Sequence, residues 1–419
     1  MQLTSSILNS RTFKVIKRIV NIFIVIVIIF LCLSTINIIT ERQSARTRFA
    51  DFFESNQEYD VLFFGSSHML HAVNPMQLWK EYGLRSYNFA GPATWVPGSY
   101  WLFRNAINYH KPQIAVLEVF NASVNIEHQD ISMLHNTFDA FPLSYTKFLG
   151  ICELVQDKAK REELLIPFSL YHSRWEEIQS ADIDSALKIR VESVHKGAQF
   201  LVDIYKDATY IDIEYKPTTT ENLTDSQKYV LRFIETCKSF NIIPVLLYVP
   251  YDVQINEDWI NPIISELNIY YLDMYGHLND YINYKTDFAD RAHLNFLGDH
   301  KTTNEIGVFL SEIINNQFLD NQTIEQWEYY YKKYMDDIKT RIMKANNLNE
   351  ILLYMCDSCI EGEIVYGKDI YRDDIASNLI RELQNCKNIV LRQSDFEGKV
   401  YLNITIDNFE IERDIVIPA

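Results

Sequence analysis

Two short strings in this chain hold residue types that can do nucleophilic chemistry. The first is Gly65-Ser66-Ser67-His68, which follows at once on the apolar run YDVLFF at residues 59–64. A serine on a sharp strand-to-helix turn presents its hydroxyl, and the N–H groups of the helix start can stabilise an oxyanion. A helix-capping serine in an ordinary loop gives the same string. The second string, DFADRAHLNFLG at residues 287–298, places Asp290 three residues before His293. On one helical turn that spacing puts carboxylate and imidazole on one face, so the acid can orient the base that a serine nucleophile requires. Zinc binding is the rival for such a pair, but His277 and His300 do not stand at familiar ligand spacings.

These strings must be brought together by the elements around them. Apolar runs at residues 59–64, 85–89, 113–120, 242–249 and 269–272 alternate with helical spacing at 69–83, 99–110, 225–240 and 300–314. That alternation predicts an α/β fold with a parallel sheet covered on both faces. Chemistry in such sheets gathers at the carboxyl ends of the strands, and the first three runs end in small or polar residues, at 65–67, Gly91 and Asn121. Between about 124 and 215 the alternation gives way to a largely helical, aromatic-rich insertion. Residues 317–346 read as a helical linker. Residues 347–419, with strand candidates at 363–366, 388–392, 399–406 and 409–417, read as a small separate α/β domain.

Composition excludes several classes. A formal net charge of -17 opposes a role in gripping nucleic-acid phosphates. With Gly 12, Pro 11 and Cys 6 in 419 residues, the chain is neither collagen-like, disulfide-dense nor disordered. Cys356 and Cys359 form a lone C-x-x-C, without the second pair or histidines that a zinc site needs; a local disulfide or two packed thiols suits it better. No glycine-rich phosphate loop is present, and no cofactor or metal is expected.

Residues 19–40 (IVNIFIVIVIIFLCLSTINIIT) run 22 positions without a charge, enough to span a hydrocarbon core of about 30 Å. The run is longer than the apolar core of a signal peptide and reads as a retained anchor. Arg11, Lys14, Lys17 and Arg18 precede it, against Arg42, Arg46 and Arg48 after it, which favours residues 1–18 on the cytoplasmic side. Residues 41–59 read as a short helical stalk.

Serine early, then a glycine and an asparagine, then D-x-x-H before the last helix: this order resembles the SGNH (GDSL-like) hydrolase superfamily. The resemblance covers residues 59–314 apart from the insertion and implies a three-layer SGNH-like sandwich over 41–316. It makes Ser67 the nucleophile, Asp290 and His293 the orienting acid and base, and Ser67, Gly91 and Asn121 the oxyanion hole. Ser66 stands where the family motif has aspartate, which leaves Ser66 as an alternative nucleophile. The family's G-x-N-D block is replaced by Glu118-Val-Phe-Asn121, where a glycosylation-type sequon or a plain loop is an alternative reading. Together with the anchor, these departures look like the membrane-tethered acyltransferases of bacterial surface polymers, including the D-alanyl transfer protein of teichoic-acid biosynthesis and the alginate O-acetylation proteins. What that implies is an extracytoplasmic transfer of an acyl group to a surface glycan, beside a membrane-bound O-acyltransferase as partner. His172 and Arg174, in YHSRW, match a motif of that branch and would line an acceptor groove, although a plain helix surface gives the same string. A carbohydrate esterase and a non-catalytic tethered scaffold are the competing functions.

Overall fold

The computed structural model of the chain describes residues 3–40, 48–49, 52–53, 57–122, 131–139, 141, 143–165, 193–205, 223–250, 259–275, 278–314, 319–357, 360–367, 370, 374–395, 399–406 and 409–416. Five strands, β1 (Val61–Phe64), β2 (Ser86–Asn88), β3 (Ile114–Glu118), β4 (Ile243–Tyr248) and β5 (Tyr270–Asp273), form one sheet in the order β2-β1-β3-β4-β5. Every pairing in it is parallel. The strands are apolar almost throughout because alternate residues feed separate cores on the two faces. Leu62, Phe64, Ala115, Leu117, Leu246 and Tyr248 join one cluster. Val61, Phe63, Ile114, Val116, Val245 and Leu247 join the other. The molecule is thus α/β, with a five-stranded parallel sheet.

Strand order reverses between β1 and β3, and a crevice opens beyond the carboxyl ends of strands at such a switch point. The turns after β1 and β3 carry Ser67 and Asn121.

Helices α2 (Ser67–Leu70) and α3 (Pro75–Tyr82) follow β1. The sequence reads as one helix here, and the break has a local cause. Pro75 is disfavoured inside a helix but suits its first turn. Asn74 caps α3 by accepting from the Met76 and Gln77 N–H groups, and Gly83 ends it at φ 68°. Next come α4 (Val96–Ala106), then α5 (Ile131–Phe138), α6 (Tyr145–Leu154) and α7 (Lys158–Leu165) within the insertion. A capping box of Thr224 and Gln227 opens α8 (Asp225–Ser239), which leads into β4. After α9 (Ile260–Leu267) and β5, α10 (Leu278–Tyr281) and α11 (Phe296–Ile313) complete the unit.

The expected linker is a packed helix, α12 (Asn321–Lys344), whose Trp327, Tyr331, Tyr334, Met335, Ile338 and Ile342 are buried. Its apolar stripe joins the core of the first sheet to that of the C-terminal residues. There α13 (Leu348–Tyr354), β6 (Glu361–Gly367), α14 (Asp374–Leu383), β7 (Ile389–Ser394), β8 (Lys399–Ile406) and β9 (Phe409–Val416) form a second sheet ordered β7-β6-β8-β9. The β6–β7 pair is parallel and the other two pairs antiparallel. A parallel pair needs a crossover, and α14 lies in it.

At the N-terminus, α1 (Leu3–Thr40) is one 38-residue helix. Its side chains are described at 13–29, 31 and 32, and the large apolar ones there, from Phe13 to Leu31, are exposed. Among the described residues no helix is long and apolar enough to cross a membrane. Of the expected stalk, the described part does not stand clear of the body: Phe49 and Phe52 are buried in the core against Tyr87 and Phe89. Aromatic side chains of that size gain more from burial than from a solvated stalk.

Candidate active site

The turn after β1 is shaped by a buried carboxylate. Glu118, at the end of β3, accepts from both the N–H and the hydroxyl of Ser66, each at 2.7 Å through Oε2. A Cβ on Gly65 would lie 2.6 Å from that oxygen and 2.7 Å from the Glu118 Cβ, so only glycine lets the two strand ends close. Ser66 also caps α2, its Oγ accepting from the His68 N–H at 3.3 Å. The alternative nucleophile is therefore occupied as a capping and carboxylate-binding group. Asn88, at the end of β2, fixes the far side of the turn. Its Nδ2 donates to the Met69 and Val73 carbonyls at 3.0 and 3.3 Å, while Oδ1 accepts from the Ala90 N–H at 3.0 Å.

So held, Ser67 opens α2 with its hydroxyl 2.7 Å from Nε2 of His293. The other ring nitrogen, Nδ1, lies 2.8 Å from Asp290 Oδ2 and 3.0 Å from Oδ1. With the proton on Nδ1, the ring donates to Asp290 and accepts from the Ser67 hydroxyl. The structure thus joins Ser67, His293 and Asp290, although 226 positions separate the serine from the histidine.

The acid and the base share no helical turn, contrary to the expectation from their spacing. Asp290 and His293 lie in a tight loop closed by a bridge between Phe288 and Leu294. Asp290 Oδ1 accepts from the Ala292 N–H at 2.7 Å and the His293 N–H at 3.0 Å. Aspartate favours such side-chain-to-backbone turns over helix interiors, and the turn delivers the ring to the carboxylate as a helix would. The rest of the string anchors the loop. Asn295 caps α11 by accepting from Leu297 and Gly298, and its Nδ2 donates to the Thr286 carbonyl at 2.6 Å. Gly298 leaves room for the Asp287 carbonyl, which a Cβ there would meet at 2.3 Å.

The Asp290 side chain is 54% exposed and the His293 side chain 24%, so the dyad opens to solvent. Partial burial pushes the Asp290 carboxyl up, but the His293 and backbone donors outweigh it, and the pKa lies below the ordinary carboxylate value. Two more histidine rings flank the dyad, His68 with its centroid 5.8 Å and His71 5.1 Å from that of His293. Burial drives the His71 pKa down to about 4; its bond to the Gln199 carbonyl opposes this, and His293 and Arg48 reinforce it. His71 is therefore neutral at neutral pH and donates through Nδ1.

Of the expected oxyanion donors, the Ser67 N–H has no hydrogen-bond partner among the described residues. The Gly91 N–H donates to the Gly65 carbonyl at 3.1 Å. Asn121 reaches the turn that begins at Gly91, its Nδ2 lying 3.5 Å from the Thr94 carbonyl. His172 and Arg174 lie outside the described residues, as does Cys359; Cys356 is a buried thiol. Among the described residues no group of His, Cys, Asp and Glu is placed to hold a metal ion.

Sequence reasoning alone gave Glu118, Asn88, His68 and His71 no part in this arrangement. A carboxylate closing an otherwise apolar strand and an asparagine inside YNF were the available signals, because a buried polar group needs a partner. The histidines carried a positional signal, at one and four residues after Ser67. The chain matches none of the known protein-family models and none of the curated proteins.

Proposed function

We propose that this chain is a membrane-anchored, extracytoplasmic, serine-dependent acyltransferase that carries an acyl group, with acetyl as the leading case, onto a cell-surface or secreted polysaccharide. The observation that carries the reading is the continuous chain of bonds from the Ser67 hydroxyl through the His293 ring to the Asp290 carboxylate. In this reading His293 takes the Ser67 proton as Oγ attacks the acyl carbonyl, and Asp290 stabilises the imidazolium. The Ser67 N–H receives the oxyanion, with the Asn121 amide beside it. Gly91 joins them once its N–H leaves the Gly65 carbonyl. The imidazolium then protonates the leaving group of the donor; a sugar hydroxyl attacks the acyl-serine, its proton passes to His293, and His293 gives a proton to the departing Ser67 oxygen.

The order of these residues on a parallel sheet, from Ser67 after β1 to Asp290 and His293 before α11, is similar to that of SGNH hydrolases and supports acyl chemistry. The exposed apolar side chains of α1 support the anchor, since an isoleucine- and valine-rich helix surface is stable only away from water. A tether favours transfer over hydrolysis by holding the enzyme beside a membrane-bound acyl exporter, which raises the effective concentration of the donor.

The test is polysaccharide analysis in cells that carry either the wild-type chain or Ser67→Ala at matched abundance. Loss of glycan O-acyl groups in the variant is the expected result. Unchanged acylation removes Ser67 from the mechanism, and acyl release by purified protein without any glycan acceptor makes the protein an esterase instead.

A further inference from the structure

The loop that carries Asp290 and His293 is braced from outside the five-stranded unit. Asp287, three residues before Asp290, is fully buried, and its Oδ1 accepts from the Thr286 hydroxyl at 2.7 Å. Its Oδ2 accepts from the Asn283 N–H at 2.7 Å and from Lys301 Nζ, on α11, at 2.8 Å. Asn283 and Lys301 both continue to one further residue. Glu382, near the end of α14 in the C-terminal unit, accepts from Asn283 Nδ2 at 2.7 Å through Oε1 and from Lys301 Nζ at 2.9 Å through Oε2. Each oxygen of this carboxylate thus holds one end of the cradle around Asp287.

From Asp287 the connection to the reacting groups is short. Its carbonyl accepts from the Asn295 N–H at 2.9 Å, and the Ala289 N–H donates to the His293 carbonyl at 2.9 Å, so the segment between is pinned at both ends. The lysine is shared by two carboxylates, both largely shielded from water, and such buried networks hold geometry only while every member is present. Glu382 in turn sits on a helix whose Ala376, Leu379, Ile380 and Leu383 are buried in the core that α12 shares with the first sheet.

We infer that the C-terminal unit positions the acid–base loop, with Glu382 as its positioning residue acting through Asn283, Lys301 and Asp287. This inference rests on the acyl-serine reading above. It gives the C-terminal residues a task in the reaction without requiring that they touch substrate: to keep the His293 ring within reach of the Ser67 hydroxyl in a loop that is otherwise open to solvent.

The test uses the full-length chain in detergent with a fluorophosphonate as the probe. Two quantities are followed: the rate at which Ser67 gains the phosphonyl adduct, by mass spectrometry, and the downfield proton signal of the His293 Nδ1–H bonded to Asp290. In the adduct step the Ser67 oxygen bonds to phosphorus, fluoride leaves, and the hydroxyl proton passes to His293. Glu382→Ala is expected to slow labelling about tenfold, part of the about 10²-fold that an ångström of misplacement can cost, and to broaden or shift the His293 signal at temperatures where the variant is still folded. Glu382→Gln keeps an acceptor for Asn283 but turns an amide N–H toward Lys301, so its labelling rate should fall between those of wild type and Glu382→Ala. Asn283→Ala, which cuts one strap only, should change both quantities in the same direction as Glu382→Ala and decides the matter if the latter does not fold. Wild-type rate and an unmoved His293 signal in the folded variants overturn the inference. A folded wild type that takes no adduct at Ser67 overturns the acyl-serine reading instead.

Discussion

The two halves of the site are held in opposite ways. The serine turn grows out of a buried strand, and its supports come from the adjoining strand ends: Glu118, with 1% of its side chain exposed, binds Ser66, and Asn88 ties down the end of α2 and the turn after it. The loop of Asp290 and His293 sits at the surface, with more than half of the Asp290 side chain exposed, and takes its shape from polar side chains drawn from α11 and the C-terminal unit. A serine packed against the sheet resists displacement because tight packing leaves few alternatives. An aspartate–histidine pair on a loop can be moved by whatever reaches its network. The contrast teaches where each half is vulnerable: the serine to changes in volume, the dyad to changes in charge and hydrogen bonding.

The largest effect that sharpens this contrast should come from Asp290→Asn. It keeps the size of the side chain but replaces an acceptor of the Nδ1 proton, and in serine enzymes the equivalent loss lowers kcat by about 10⁴. Thermal stability should stay near wild type, since the side chain is largely exposed; a rate within tenfold of wild type would break the comparison. On the other side, Gly65→Ala puts a methyl group against Glu118 and Met69. Overpacking of this kind costs about 1–3 kcal/mol, so urea midpoints should fall and labelling of Ser67 should fall with them. An alanine variant as stable and reactive as wild type would show that the turn is looser than its contacts imply.

A smaller effect concerns His71, which links the halves by lying beside His293 while belonging to the serine side. Its pKa is held down at about 4 by burial, below the ordinary histidine value near 6.5. Below that ordinary value the unfolded chain binds a proton that the folded chain refuses, so stability rises with pH across this window. The contribution is full above about pH 6.5 and is lost as pH falls toward 4, on the order of 2 kcal/mol by pH 4.5. Urea titrations at pH 7 and pH 4.5 should show that loss in wild type and a smaller one in His71→Gln, whose amide can still donate to the Gln199 carbonyl. Equal losses in the two proteins would mean that other groups govern the acid side.

Much of the fold was legible because apolar runs bounded by small residues mark buried strands. All five strands of the first sheet fall within a residue or two of the expected runs, and the tail strands lie close to theirs. What pattern reading missed are features decided by tertiary partners. The spacing of Asp290 and His293 is compatible with a helix, yet a three-residue offset is equally met by an aspartate turn. Residues 317–346 read as a linker because helical periodicity with mixed charge does not reveal that a tyrosine-rich stripe has two cores to fill. Glu382 was invisible for a related reason. Nothing in its neighbourhood in sequence marks one exposed-looking glutamate on an amphipathic helix as the end of a network that begins 99 positions earlier, at Asn283. The geometry of the expected oxyanion donors was not legible, since whether the Gly91 N–H faces the Gly65 carbonyl or open space depends on the turn.

The most direct measurement is mass spectrometry of the intact chain and its peptides after exposure to a fluorophosphonate at neutral pH. A single adduct on Ser67, absent from Ser67→Ala and strongly slowed in His293→Ala, is the predicted result. A folded wild-type chain that stays unmodified, or an adduct that persists at Ser66 when Ser67 is alanine, would contradict the account.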